Sequence, residues 1–575
     1  MKNLQLLGLT LVLLLTSSTT TYACTNFLVG KDASNDGSTM ISYAADSYGM
    51  YGYLHFVPSA DWKEGDMREV KDWDTGRPQC FIPQPAHTYS VVGNMNEHQL
   101  TIGETTWGGR PELEDTIGID YGSLIYITLE RCKTAREAIE CIIKLVNTYG
   151  YASSGESFSI ADSNEVWLMD LIGRGQGQKG ALWVAVRIPD NAICAHANQA
   201  RITTIPQGKA KLTKEQKRLQ KELNCVCNGD WMYSKDLISF AREKGYFTGA
   251  DKDFSYQAAY CPFDFSGLFV CEARVWSFFR RFSNQMDQYY DFAIGHTYKA
   301  TEGQDAGEHM PLWIVPNRKV SVQDLKEAMR DEYKGTPIDI TKGVDAGPWN
   351  SKLRYGGLGF QLDSIQHWYA RPIATQQTAW SFVAQMRANN KNGIFWFGVD
   401  DAACSCYVPM FSCIKRVPEC FAQGNGDSYT FSPTSAWWTF NLVANWAYTK
   451  YSRMYPHIQE LQQVWDDKFN TQIAGVDAQA AALNDDEARE FLTDYSCSQA
   501  TNVVADWQQL FIYLMTKYLD GQERKEENGQ FLRNPYGGSC GPNRLALPEP
   551  FLRMASEAQA SCSHLPISRA PRFQP

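Results

Sequence analysis

The sequence predicts an α+β protein in which two antiparallel sheets are covered by helices. Three observations predict this class: β-hairpin patterns recur over about the first 200 residues, an amphipathic helix pattern interrupts them at residues 134–150, and a helix-rich stretch begins at residue 435. Hairpins pair neighbouring strands antiparallel, whereas an amphipathic helix must bury its apolar stripe against another layer. A chain of 575 residues has room for one large domain or roughly two to three smaller ones.

The first 23 residues have the pattern of a secretory signal peptide. Lys2 supplies a positive charge, residues 4–15 form an apolar run, and Thr21 and Ala23 resemble a signal-peptidase site. The apolar run is too short for a permanent transmembrane helix, and no later run of about 18 apolar residues follows. We therefore expect cleavage after Ala23, a secreted or periplasmic location, and no stable membrane span.

Cleavage after Ala23 would make Cys24 the first residue of the mature chain. A thiol and an α-amine would then share one residue, with reference pKa values of about 8.5 and about 7.7–8.0. The neutral amine can accept the thiol proton, so nucleophile and base need no separate histidine. Two other roles stay open for Cys24: it could pair in a disulfide, or carry lipid as in bacterial lipoproteins. Lipoproteins usually have Leu three residues earlier, where this chain has Thr21.

The elements after Cys24 alternate between hairpins and helices. Residues 24–30 and 38–43 form two β-prone runs around the turn-forming residues 31–37. A capping box at Thr134–Glu137 predicts a helix that Gly150 ends. Further hairpins are predicted at residues 157–171 and 182–195, and further helices at residues 437–454, 485–493 and 500–519.

The hairpin that opens with Cys24 resembles a known family. It reads Cys-Thr-Asn-Phe-Leu-Val-Gly-Lys and then Asp-Gly-Ser-Thr-Met-Ile. This resembles the start of the C69 dipeptidases, relatives of penicillin V acylase and bile salt hydrolase, which open with Cys-Thr-x-x-Leu-Val-Gly-Lys and Asp-Gly-Ser-Thr-Met-Ile. The resemblance runs to about Pro418 and includes the segments at residues 93–104, 183–202, 371–373 and 396–400.

This resemblance implies a fold and an activity. The fold is the four-layer αββα sandwich of N-terminal nucleophile (Ntn) hydrolases over residues 24–430, with a helical C-terminal extension over residues 431–575 packed on it. The activity is hydrolysis of short peptides, foremost dipeptides, through a thioester on Cys24. Two alternatives stay open: an acylase of non-peptide amides, of the penicillin V acylase or bile salt hydrolase type, and a lipid-anchored binding protein.

The resemblance also implies roles for individual residues. Asn198 matches the asparagine whose side-chain amide would point at the developing oxyanion, and Asn96 lies in the turn that would donate a second hydrogen bond. Asp46 matches the acidic residue after the second strand, which would hold the α-ammonium of Cys24 or of the substrate. We therefore expect Cys24, Asp46, Asn96 and Asn198 to be catalytic. Asn and Asp are also common in turns for local hydrogen bonding, which is the competing interpretation.

One departure from the family concerns positive charge. Family members commonly carry Arg-Asn-x-Asp where this chain reads Tyr-Ala-Ala-Asp at residues 43–46. Tyr43 supplies no permanent cation, so the charge must come from elsewhere, with Arg201 and Arg187 as candidates. We expect Arg201 and His196 to bind substrate, with a hydrogen-bonded structural role as the alternative for His196.

Composition and residue spacing narrow the classes of function that remain. A net charge of -10 and a pI near 5.5 argue against nucleic-acid binding. The nine histidines form no HExxH pair and the clustered cysteines lack zinc-ligand spacing, so we expect no metal and no cofactor. In an exported protein the 16 cysteines indicate structural disulfides or buried thiols, and Cys540 and Cys562 could staple the C-terminal stretch. The sequence leaves open whether the chain forms a homo-oligomer.

Overall fold

The computed structural model describes residues 24–208, 210–299, 304–305, 307–355 and 357–558. The predicted signal peptide and Cys562 lie outside the described residues. Strands and helices alternate through the described chain, which confirms the predicted α+β class.

Two large antiparallel sheets form the centre of the molecule. Their strands, in chain order, are β1 (Thr25–Val29), β2 (Thr39–Asp46), β3 (Phe56–Val57), β4 (Val91–Val92), β5 (Met95–Asn96), β6 (Thr101–Trp107), β7 (Gly155–Ala161), β8 (Val166–Ile172), β9 (Leu182–Arg187), β10 (Ile193–His196), β11 (Cys225–Asn228), β12 (Trp231–Ser234), β13 (Trp313–Ile314), β14 (Thr378–Met386), β15 (Ile394–Val399) and β16 (Val408–Phe411). The seven-stranded sheet has the order β13-β10-β1-β2-β14-β15-β16. The nine-stranded sheet has the order β11-β12-β9-β8-β7-β6-β5-β4-β3.

Helices accompany both sheets. They are α1 (Tyr121–Leu129), α2 (Ala135–Tyr149), α3 (Lys214–Glu222), α4 (Leu237–Glu243), α5 (Tyr256–Tyr260), α6 (Ala273–Phe279), α7 (Tyr290–Ala293), α8 (Val322–Met329), α9 (Ala436–Tyr448), α10 (Tyr451–Ala481), α11 (Asp485–Lys517) and α12 (Glu549–Ala558). Small two-stranded hairpins stand outside the large sheets, among them Met67–Lys71 with Pro78–Pro83 and Gly359–Leu362 with Ile365–Trp368. No helix in the described part of the chain combines the length and apolarity needed to cross a membrane.

The two sheets contact each other through their central strands, with β1 and β2 against β6 and β7. Alternation along β8 separates the two faces of the nine-stranded sheet, because successive side chains of a strand point to opposite sides. Leu168 belongs to the core shared with the seven-stranded sheet, whereas Trp167 and Met169 belong to the core shared with α1 and α2. On the seven-stranded sheet, α8 contacts β2 and β14, α9 contacts β15, and α11 contacts β16.

Local sequence signals explain both ends of α2. Thr134 accepts a hydrogen bond from the Glu137 backbone N–H at 3.3 Å, as the predicted capping box requires. The Glu137 side chain, however, accepts from the Lys133 N–H at 2.7 Å instead of that of Thr134. Gly150 ends α2 with a φ of 94°, in the left-handed region that favours glycine.

The C-terminal helices differ in extent from the prediction. The helix predicted at residues 437–454 is interrupted at Lys450, between α9 and α10. Helix α10 then continues through Pro456 to Ala481. The two helices predicted at residues 485–493 and 500–519 are one continuous helix, α11. Its polar middle stays helical because Ser496 and Gln499 lie in a buried stripe.

Cysteines in the described residues are thiols without disulfide bonds, and most of them are buried. The Sγ atoms of Cys225 and Cys227 lie 3.9 Å apart, and the thiols of Cys132 and Cys141 also hydrogen bond to each other. Buried thiols were one of the two forms expected from the sequence. The predicted attachment of the C-terminal stretch through Cys540 and Cys562 involves Cys562, which lies outside the described residues.

Candidate active site

Cys24 lies at the start of β1, near the middle of the seven-stranded sheet, and only 2% of it is exposed. Its Sγ donates to Glu104 Oε1 at 3.5 Å and lies 3.7 Å from the Tyr43 hydroxyl. Pairing of β1 with β2 aligns Thr25 with Ala44, which brings Tyr43 and Asp46 beside the thiol. The register of β1 with β2 therefore places Tyr43 and Asp46 near Cys24, whereas Glu104 comes from β6 in the other sheet.

The electrostatic surroundings of Cys24 favour the neutral thiol. Burial raises the pKa of Cys24 well above its usual value, and the negative charges of Glu104 and Asp46 raise it further. Hydrogen bonds from the Asp46 backbone and the Tyr43 hydroxyl act in the opposite direction. A reaction at Cys24 therefore needs a proton acceptor or additional positive charge.

Asp46 ends β2 in a buried ion pair. Its Oδ2 accepts from Arg371 Nη2 at 2.8 Å and its Oδ1 accepts from the Thr378 hydroxyl at 2.6 Å. Burial raises the pKa of Asp46, and the charge of Arg371 and the Thr378 hydrogen bond partly offset this. Arg371 also interacts electrostatically with Cys24, so it provides positive charge that Tyr43 does not.

Arg274 of α6 joins the start of β1 to the turn after β10. Its Nη1 donates to the Cys24 carbonyl oxygen at 2.7 Å and to the Thr25 hydroxyl at 2.8 Å. Its Nη2 donates to Asn198 Oδ1 at 3.0 Å and to the Ala197 carbonyl at 3.2 Å. The side chain is completely buried. A planar fork of donors suits this role, because one guanidinium can serve several acceptors at once.

Asn198 lies beside this cluster in a left-handed conformation, with a φ of 58°. Its Nδ2 donates to the Thr106 carbonyl at 2.6 Å, while its Oδ1 accepts from Arg274. The structure thus brings Cys24, Asp46 and Asn198 together, the last through Arg274.

Asn96 does not join them. Its Nδ2 donates to the carbonyls of Leu129 and Cys132, both at 2.7 Å, and its Oδ1 accepts from the backbone N–H groups of His98 and Leu100, both at 3.0 Å. Both amide hydrogens are therefore used to tie the turn to the end of α1. These contacts do not support the expected oxyanion role, and they agree with the competing interpretation of a turn-forming asparagine.

His196 is buried between the two large sheets and does not line a cleft. Its Nδ1 lies 2.6 Å from the Thr105 hydroxyl and its Nε2 lies 2.7 Å from the Ser159 hydroxyl. Burial lowers the pKa of His196 to about 3, and the charges of Arg201 and Arg274 act in the same direction. The ring is therefore neutral at physiological pH, and its contacts agree with the hydrogen-bonded structural role that was the alternative for His196; substrate binding by His196 stays an untested prediction.

Arg201 likewise uses its hydrogen-bond donors within the protein. Its Nε donates to Glu272 Oε1 at 2.8 Å, and both side chains are about 97–98% buried. Its remaining donors go to the carbonyls of Ala195, Pro311 and Leu312. These contacts within the protein do not support the expected substrate-binding role of Arg201, which stays an untested prediction.

Sequence reasoning missed a pair of buried glutamates on neighbouring strands. Glu104 of β6 accepts from Cys24 and from the Tyr43 hydroxyl through Oε1. Glu156 of β7 accepts from the Thr106 hydroxyl through Oε2 at 3.0 Å. The two carboxyl groups hydrogen bond to each other, and burial together with the charge of Glu104 raises the pKa of Glu156 well above its usual value. Two buried carboxyl groups that hydrogen bond to each other need one proton between them, because two adjacent charges cannot both be buried without a partner.

A glycine permits the approach of β1 to this pair. Asn26 Nδ2 donates to the Glu104 carbonyl at 2.5 Å, across from one sheet to the other. A Cβ on Gly103 would lie 2.4 Å from Asn26 Oδ1, closer than van der Waals contact allows. Glycine at this position thus fixes the backbone of Glu104 against the second residue after Cys24.

Comparison with known proteins places this arrangement in a family. A sequence model of Peptidase family C69 matches residues 23–58 and 57–464, and the chain belongs to this family. The resemblance noted in the sequence is thereby confirmed. The chain is 27% identical over 439 residues to a dipeptidase of Bifidobacterium longum (strain NCC 2705), covering 69% of this chain and 72% of that protein.

Two further relatives show the same breadth of similarity. A probable dipeptidase A of Streptococcus pyogenes serotype M3 (strain SSI-1) is 24% identical over 517 residues, or 82% of this chain and 94% of that protein. A probable dipeptidase of Salmonella dublin is 24% identical over 344 residues, or 55% of this chain and 68% of that protein. The matched region extends past residue 430 into α10.

Proposed function

We propose that this protein is a secreted cysteine dipeptidase, activated when export cleavage frees the α-amine of Cys24. The observation that carries the proposal is the environment of Cys24: it begins a central strand and is surrounded by buried polar groups, within a chain that belongs to a peptidase family. The names of the relatives, dipeptidase and probable dipeptidase, support short peptides as the substrate class. The layering of two packed sheets and their helices supports the αββα sandwich of Ntn hydrolases over residues 24–430, with residues 431–575 as a helical extension.

The reaction begins with transfer of the Cys24 thiol proton to its own α-amine. The thiolate attacks the carbonyl carbon of the scissile bond, and the carbonyl electron pair moves to oxygen. The ammonium then returns its proton to the leaving amine as the carbon–nitrogen bond breaks, which leaves a thioester on Cys24. Water attacks the thioester with the amine as base, releasing a carboxylic acid and restoring the thiol.

Neighbouring residues would assist each step. Asp46, held by Arg371, would stabilise the ammonium form of the Cys24 amine. Asn198 would donate its amide to the oxyanion, for which Nδ2 must exchange the Thr106 carbonyl for the substrate oxygen. Positive charge from Arg371 and Arg274 would favour the thiolate. These two residues would take over the role of the arginine that other family members commonly carry where this chain has Tyr43.

The first experiment determines the mature amino terminus and the activity together. Protein secreted by an expressing host is sequenced from its amino terminus, weighed intact and assayed on a panel of dipeptides. We expect a chain that starts at Cys24 and hydrolyses dipeptides, and we expect Cys24→Ala and Cys24→Ser to lose nearly all activity. Cys80→Ala is the matched control, because Cys80 is a half-buried thiol outside the cluster.

Three outcomes would contradict the proposal. Activity retained by Cys24→Ala, or by a chain trimmed beyond Cys24, would exclude this nucleophile. Hydrolysis of acylated amino acids or conjugated bile salts in preference to dipeptides would indicate an acylase. An added lipid mass on the amino-terminal peptide would indicate a lipid-anchored binding protein.

A further inference from the structure

We propose that Glu104, together with Glu156, binds the α-ammonium group of the substrate's amino-terminal residue, so that hydrolysis requires an unblocked amino terminus. The inference rests on the proposed function, because it takes Cys24 as the attacking group. It assigns a specificity-determining role to two residues that the proton transfers above do not use.

The first argument is distance. In any peptide the α-nitrogen lies two bonds from the carbonyl carbon, roughly 2.5 Å away. When Cys24 Sγ bonds to that carbon, the α-nitrogen must lie within a few ångströms of Sγ. Glu104 Oε1 lies 3.5 Å from the same sulfur. A carboxylate at this distance is within hydrogen-bond reach of the α-ammonium of the residue under attack.

The second argument is an imbalance of charge. The other buried acids described above have cationic partners, with Asp46 paired to Arg371 and Glu272 paired to Arg201. Within the described ranges, neither Glu104 nor Glu156 forms an ion pair, although they are 1% and 0% exposed. Burying a charge without a partner is costly, so the pair must hold a proton or a cation.

The third argument concerns the unused oxygens. Apart from each other's carboxyl groups, Glu104 Oε2 and Glu156 Oε1 have no hydrogen-bond donor in the described part of the chain, and both oxygens are completely buried. The proton that the two carboxyl groups share is the one group that satisfies them. With one shared proton the pair keeps one negative charge, so an ammonium, which has three donors, can bind beside this proton and neutralise that charge.

This binding mode also affects the nucleophile. The charge of Glu104 raises the pKa of the Cys24 thiol, as described above. An ammonium bound to Glu104 neutralises that charge and favours the thiolate. A blocked amino terminus brings no positive charge and leaves a buried carboxylate unpaired, so it is rejected both in binding and in the formation of the nucleophile.

The kinetic test compares L-alanyl-L-alanine with its N-acetylated form. We expect wild type to favour the free dipeptide by about 100-fold or more in kcat/KM. Glu104→Gln should raise KM for the free dipeptide about 10- to 100-fold. It should not lower the rate on the acetylated peptide, because it removes the charge that raises the pKa of the Cys24 thiol. Glu156→Gln should be intermediate. Glu64→Gln, at an exposed glutamate, removes the same charge as a control. Equal losses on both substrates, or equal use of both by wild type, would overturn the inference.

A binding measurement separates this inference from the proposed function. Titration calorimetry of alanyl-alanine into Cys24→Ala, and into Cys24→Ala combined with Glu104→Gln, requires no turnover. We expect the second substitution to weaken binding about 10- to 100-fold, with melting temperatures confirming that both variants are folded. Unchanged affinity would refute the role of Glu104 even if Cys24 proves to be the nucleophile. Activity retained by Cys24→Ala would refute the nucleophile while leaving the binding result valid.

Discussion

Replacing Asp466 by asparagine should destabilise the attachment of α10 to α8. Asp466 is 1% exposed and accepts from Arg330 Nη1 at 2.6 Å and from Lys326 Nζ at 3.5 Å. Lys326 in turn lies over the ring of Trp396, 3.7 Å from its centroid. A single carboxylate of α10 therefore balances two buried cations, Lys326 in α8 and Arg330 directly after it.

The expected magnitude follows from the ionisation of Asp466. Burial alone would raise its pKa, but the charges of Arg330 and Lys326 lower it to about 2. A reduction of almost two pKa units corresponds to about 2.5 kcal/mol of stability at about 1.36 kcal/mol per unit. Removing one partner of a buried ion pair usually costs about 3–5 kcal/mol, because the remaining charge is left uncompensated. Burial lowers the pKa of Lys326, which reduces the cost of leaving this lysine without its partner and favours the lower end of that range.

The sign of the pH dependence is set by the lowered pKa. An aspartate whose pKa is lower in the folded state stabilises the protein above its unfolded pKa, and this contribution is lost as the pH falls from about 4 to 2. The difference between wild type and Asp466→Asn should thus be largest near neutral pH and shrink below pH 4.

Urea unfolding followed by tryptophan fluorescence measures this difference. Trp396 and Trp465 belong to the same core as Asp466's neighbours and report on the attachment of the helix. Asp467→Asn is the matched control, since Asp467 is the next residue in α10 and is exposed. Equal unfolding midpoints for Asp466→Asn and Asp467→Asn at pH 7, or a difference that does not change between pH 5 and pH 2, would refute the reasoning.

Three further predictions concern the site. Arg274→Lys should lower kcat on dipeptides about tenfold or more, because lysine cannot hold the Cys24 carbonyl and the neighbouring turn together; steady-state kinetics with an unchanged kcat would count against this. Tyr43→Phe removes a hydrogen bond that lowers the pKa of Cys24, so iodoacetamide alkylation of Cys24 should require higher pH, and an unshifted profile would be inconsistent with the geometry. The pKa of His196 is lowered to about 3 in the folded state, so the protein should lose stability as the pH falls below about 6.5. His196→Gln should therefore flatten the dependence of the melting temperature on pH between 6.5 and 4. An unaltered slope would refute this contribution of His196.

Local patterns in the sequence predicted the elements that depend on neighbouring residues. The hairpin that starts at Cys24 and the cap of α2 at Thr134 follow from turn chemistry and hydrophobic spacing alone. The family could be identified because its motif lies in one contiguous stretch. The continuous helix α11 could not be predicted, because the polar residues in its middle are buried only by packing against the rest of the chain.

The site was predictable only in part, for the same reason. Cys24, Asp46 and Asn198 lie in segments with a recognisable pattern, whereas Arg274 is a single arginine in an apolar helix about 250 residues from the carbonyl that it holds. Nothing local distinguishes it from a structural arginine. Conversely, Arg201 and His196 lie beside the motif in sequence, yet tertiary packing turns them into the interior of the fold.

The hydrogen bond from Arg274 to the Cys24 carbonyl has a consequence for the proposed cleavage before Cys24. A newly created chain end is ordinarily the most mobile part of a protein. Here the guanidinium holds the residue from its carboxyl side, together with the Thr25 hydroxyl. Proteolysis on the other side of Cys24 would therefore change the charge of one nitrogen without loosening the anchorage of the residue. In the maturation proposed above, the order of Cys24 therefore would not depend on the bond that is cut.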